Sequence, residues 1–177
     1  MKRRVLVVTI LLHALLLIVV YVFQGMIFPH LRLYGYAPLL LPVAATGVAV
    51  YEGRYTGGII GIFAGLLCDI SMNEPVGLFT VLLTLTGLVA GALADTVLTR
   101  GFATYLTCCA GVLVLSALAQ VFGLLLLNTS RLSLQPLIST AIRQTIYSLI
   151  YALPIWFPVR ALGSRAQRVS YADRSFR

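Results

Sequence analysis

The chain has 177 residues, of which 60% are apolar and only 10% charged, and its mean hydropathy is +0.99. Soluble domains carry about 25% charged residues, so composition excludes a water-surrounded globule and points to a fold surrounded by lipid. The net charge of +8 does not point to nucleic acid, because the cations gather at the two ends: Lys2, Arg3 and Arg4 at one, Arg160, Arg165, Arg168, Arg174 and Arg177 at the other.

A helix crossing the hydrocarbon core needs roughly 20 apolar residues. The first such run is Val5–Phe23, directly after Lys2-Arg3-Arg4. It exceeds a signal-peptide core of about 7 to 15 residues. No small-x-small cleavage site follows it, so the expectation is an uncleaved first span. A turn-rich stretch with Gln24, Pro29, His30, Arg32 and Gly35 leads to a second span over 38–51. Pro38 and Pro42 suit its first turns, where a missing N–H costs little. Further spans are expected over 55–71, 77–98, 102–127 and 137–159, which makes about six in an all-α polytopic bundle. The second and third are the weakest, and could form a hairpin that does not fully cross. Residues 1–159 thus form a single transmembrane domain. Residues 160–177 form a basic tail without an apolar run, expected to be mobile.

Orientation follows from the cations in short loops. With six spans, Lys2, Arg3, Arg4, Arg54, Arg100 and the tail arginines share one side, whereas Arg32 and Arg131 lie on the other. This bias predicts a plasma-membrane protein with both termini cytoplasmic. Lys2, Arg3, Arg4, Arg160, Arg165 and Arg168 would then meet anionic lipid headgroups.

Within the spans, Gly57, Gly61 and Gly65 recur every four residues and line one helix face. Gly87 and Gly91 repeat the device in the fourth span. Glycine lets backbones approach closely in lipid, which suits packing between these helices or docking of a partner's helix. Asp69 and Arg143 stand at similar depth in the third and sixth spans, so an intramembrane ion pair is expected, with separate snorkelling to the headgroups as the alternative. His13 lies mid-way along the first span with no evident carboxylate partner; a hydrogen bond to a neighbouring helix is expected there, with a proton carrier or part of a ligand site as the alternative. Cys68, Cys108 and Cys109 sit in apolar runs without metal-ligand spacing and read as small apolar fillers. Neither a metalloprotease, a nucleophile-elbow, a phosphate-loop nor a dinucleotide motif occurs. The expectation is therefore no enzymatic activity, no cofactor and no metal.

The segments Ala37–Pro42 and Gly57–Asp69, the latter ending in Gly-Leu-Leu-Cys-Asp, together with Pro75-Val-Gly77 and the Gly87/Gly91 helix, resemble the MreD family of bacterial rod-shape membrane proteins. The span layout is similar over nearly the whole chain. The resemblance implies a non-enzymatic scaffold in cell-shape maintenance and lateral peptidoglycan synthesis. Its implied partners are an MreC-like protein, the wall synthases of the elongation complex and the actin-like MreB. It also implies the helical fold of the substrate-binding components of energy-coupling-factor vitamin transporters, and that transporter role is the alternative function. Those components carry an Ala-x-x-x-Ala pattern in the first helix, whereas Ala14 stands alone here.

Overall fold

A computed structural model describes residues 2–26, 38–72, 77–96, 101–126 and 134–175. Among these the chain is helical throughout, in six helices: α1 Lys2–Met26, α2 Leu40–Glu52, α3 Arg54–Met72, α4 Leu78–Thr96, α5 Phe102–Leu126 and α6 Leu134–Ser175. The outer loops expected at His30, Arg32 and Arg131 lie outside the described residues. By length and composition, α1, α4 and α5 each contain a stretch able to cross a membrane. This is an all-α membrane bundle.

The bundle is built around α2. Every residue from Leu40 to Tyr51 is buried, and α2 touches all five other helices. Its sequence explains the position. Val43, Ala44, Ala45, Gly47, Val48 and Ala49 are compact and apolar, so neighbours approach from every side. At 13 residues it is only about 20 Å long, short of the roughly 30 Å hydrocarbon thickness.

Helix ends expose N–H groups that lipid cannot satisfy. At the start of α2 the donors are met by other helices. Leu39 N–H donates to Ser148 Oγ of α6 at 2.8 Å, and Leu40 N–H to Gln24 Oε1 of α1 at 3.2 Å. At its end the chain reverses at once into α3 through Gly53, whose φ of +89° is strained for any residue with a Cβ. Gly53 N–H closes α2 on Ala49 O at 3.0 Å, and its carbonyl accepts Gly57 N–H at 2.9 Å to open α3.

α1 rests on the bundle by a narrow stripe. Thr9, His13 and Leu17 are buried and recur at helical spacing, while Val8, Leu11, Leu15, Val19 and Phe23 are exposed. Such an apolar outer surface suits lipid. Two cores flank α2. One gathers Leu41, Val48, Ile60, Ala64, Phe79 and Leu83; the other gathers Leu39, Val43, Tyr105, Cys109, Leu113 and Ala152.

α6 continues as helix past Val159 to Ser175, with Pro154 and Pro158 inside it. Each proline removes one backbone bond without ending the helix.

Candidate functional site

The five glycines and Asp69 marked in the sequence converge on the α3–α4 contact. Gly57, Gly61 and Gly65 face α4 at backbone contact. A Cβ on Gly57 would stand 2.6 Å from Ala49 Cβ of α2 and 2.8 Å from Gly87 O of α4. One on Gly61 would meet the Leu83 carbonyl, and one on Gly65 the backbone of Thr80. From the opposite side, Gly87 lies against Gly57, and Gly91 against Arg54, whose backbone nitrogen would be 2.6 Å from an added Cβ. The five glycines form one seam, in which dispersion contact between backbones holds the helices together. The seam is occupied by α4 and α2.

Asp69 ends this seam. It is buried, with 4% of its surface exposed, and its carboxylate caps α4. Oδ1 accepts Phe79 N–H at 2.9 Å. Oδ2 accepts Gly77 N–H at 2.9 Å, Thr80 N–H at 3.2 Å and the Thr80 hydroxyl at 2.6 Å. A carboxylate at a helix N-terminus satisfies orphan donors and complements the positive end of the helix dipole.

The structure does not bring Asp69 and Arg143 together. Arg143 is exposed on α6, and the Asp69 oxygens are turned to α4 instead. The four hydrogen bonds of the cap compensate the burial of Asp69 without an arginine.

Lys2, Arg3 and Arg4 open α1, and Arg165 and Arg168 belong to the continuation of α6. Arg160 is exposed and sets its guanidinium over the Trp156 ring, 4.7 Å from the centroid. Arg54 does the same over Tyr55 at 4.7 Å and donates to its hydroxyl at 2.8 Å. Aromatic–cation pairs of this kind are suited to a membrane boundary, where one end is apolar and the other wet.

Three polar contacts were not foreseen. His13 donates from Nδ1 to Thr9 O at 2.8 Å and has Glu52 Oε1 at 4.0 Å from Nε2. Its expected bond to another helix is thus replaced by a bond within α1, with a carboxylate of α2 beside it. Ser148 binds the start of α2, as described above. Tyr105, fully buried, donates to Ala152 O at 3.2 Å and ties α5 to α6. Glu52 could have been suspected from the sequence, because it is the one acidic residue bordering the short second span. Cys68 and Cys109 are buried free thiols and Cys108 a half-buried one. Among the described residues, no three His, Cys, Asp or Glu side chains gather as a metal site.

The family described as rod shape-determining protein MreD matches residues 2–165. No curated protein and no solved structure matches the chain significantly.

Proposed function

The chain belongs to the MreD family, which implies a role in rod-shape determination, and on that footing we propose that it is a non-enzymatic membrane scaffold of the cell-elongation machinery. It holds an MreC-like partner, and with it the wall synthases and MreB, at the site of lateral peptidoglycan synthesis. Its termini are cytoplasmic and its helices make six passes. The basic ends Lys2–Arg4 and Arg160–Arg168 attach to the anionic inner leaflet.

The observation that supports this reading is the central position of α2. It is enclosed along its length, and side chains from α1 and α6 satisfy the N–H groups at its start. With Asp69 and the glycine seam tying α3 to α4, the buried polar groups fix helix against helix. A bundle tied in this way suits a rigid platform better than a carrier that must open around a ligand. The outer faces of α1 and α5 are left apolar for lipid and for the helices of partners.

The test is purification of the tagged chain from its own membrane in mild detergent, with identification of what accompanies it. MreC-like and wall-synthase proteins are expected, and depletion of the chain should turn rods into spheres. Paired ATPase subunits or a bound vitamin would overturn the scaffold in favour of the transporter component.

A further inference from the structure

His13 Nδ1 lies 2.8 Å from the Thr9 carbonyl oxygen. A carbonyl oxygen can only accept, so Nδ1 carries a proton. Nε2 is then a bare lone pair unless the ring holds a second proton. It is buried without a hydrogen-bond partner and faces Glu52 Oε1 at 4.0 Å. His13 is 1% exposed and Glu52 12%. A lone pair against a carboxylate in a low-dielectric interior repels; one proton, on Nε2 or on the carboxyl, turns the contact into attraction.

Other charged or titratable groups border this end of the α2–α3 reversal. Tyr51, Arg54 and Tyr55 are on the reversal itself. Arg54 is turned to Tyr55. Asp95 of α4 lies against Gly53, its Oδ2 3.1 Å from the place of an added Cβ. From α6, Arg160 is turned to Trp156.

We propose that His13 and Glu52 bind one proton between them, and that this proton fastens α1 to the α2–α3 reversal. At the far end of α1, Gln24 Oε1 accepts Leu40 N–H at 3.2 Å; His13 makes the polar contact mid-way along it. The buried stripe of α1 is Thr9, His13 and Leu17, and of these His13 alone faces a charged group on another helix. The pair is thus a proton-binding site at the junction of the peripheral helix with the central one.

The full-length chain in lipid bicelles, with His30→Gln so that His13 is the single histidine, allows ¹⁵N imidazole spectra to be followed across pH. Neutral His13 should appear with the proton on Nδ1; a proton on Nε2 would overturn the proposal. Glu52→Gln should weaken the proton affinity of His13 by about tenfold or more, as loss of an opposite charge at this range does. An unchanged midpoint would overturn it. If Glu52→Gln does not accumulate, Glu52→Asp replaces it, and the tautomer is read without any change at Glu52. Spin labels at the exposed Leu15 and Val89 report the attachment of α1. Their distance distribution should narrow as the pair takes up its proton; a distribution constant through the midpoint would overturn the fastening.

Discussion

Phe79 N–H meets Asp69 Oδ1 at 2.9 Å, so the last turns of α3 supply the N-terminal cap of α4. Removing an N-cap costs about 0.5–2 kcal/mol, and each buried donor left without a partner about 1–3 kcal/mol. Asp69→Ala should therefore destabilise the bundle by at least about 2 kcal/mol, since several donors converge on one carboxylate. Asp69→Asn keeps one acceptor oxygen but turns an NH₂ toward backbone donors, and should lose roughly half as much. Unfolding in mixed micelles measures both. An equal loss for Asn and Ala would mean that the carboxylate geometry is not what holds α4.

Arg143 should behave independently of Asp69. The two are not in contact: Arg143 is exposed on α6, whereas Asp69 is buried and its oxygens are engaged by α4. Arg143→Gln alone should change stability by less than about 0.5 kcal/mol. Combined with Asp69→Ala it should add within about 0.5 kcal/mol. A double-mutant cycle checks this; a coupling above 1 kcal/mol, roughly the low end for groups in contact, would restore the ion pair.

The glycine seam gives a graded series. Gly61→Ala and Gly65→Ala drive a methyl group into the α4 backbone, which cannot move aside as a flexible side chain can. Overpacking costs typically 1–3 kcal/mol, and backbone obstruction should put both at about 3 kcal/mol or above. Gly111→Ala meets nothing within 4 Å and should be neutral or slightly stabilising, because alanine favours the helix by about 0.8–1.0 kcal/mol. Folded yield after detergent extraction separates the two classes. Loss of yield in Gly111→Ala as well would point to a general intolerance, unrelated to the seam.

The seam and the span layout were legible because both are periodic. Glycines four apart share a face whatever the tertiary arrangement, and long apolar runs imply helices in lipid. The partner of Asp69 was not legible by charge matching. Arginine at equal depth suggests an ion pair, but the carboxylate is taken by uncharged donors, the backbone N–H groups of Gly77, Phe79 and Thr80 at the start of α4. The meeting of His13 with Glu52 depends on the register of α1 against α2, and that register has no periodic signal. The basic tail has no apolar run and cannot build a core. Its helix needs none, since it continues α6 and nucleation has already been met there.

Ser148 should outrank Tyr105 in importance, though tyrosine is the larger group. Ser148 Oγ accepts Leu39 N–H at 2.8 Å and donates to Gln144 O at 2.7 Å, so both hydroxyl functions are engaged. Leu39 is 2% exposed, and in Ser148→Ala its N–H has no water to turn to; the loss should be about 1–3 kcal/mol. Tyr105→Phe keeps the ring and all its packing. It gives up one hydroxyl bond of 3.2 Å to the Ala152 carbonyl, which lies within α6 and retains its helical partner, so about 0.5–1 kcal/mol is expected. Thermal unfolding of the two variants under one detergent condition gives the order directly. If Tyr105→Phe proved the more damaging, the α5–α6 contact, and not the start of α2, would be where the bundle is fastened.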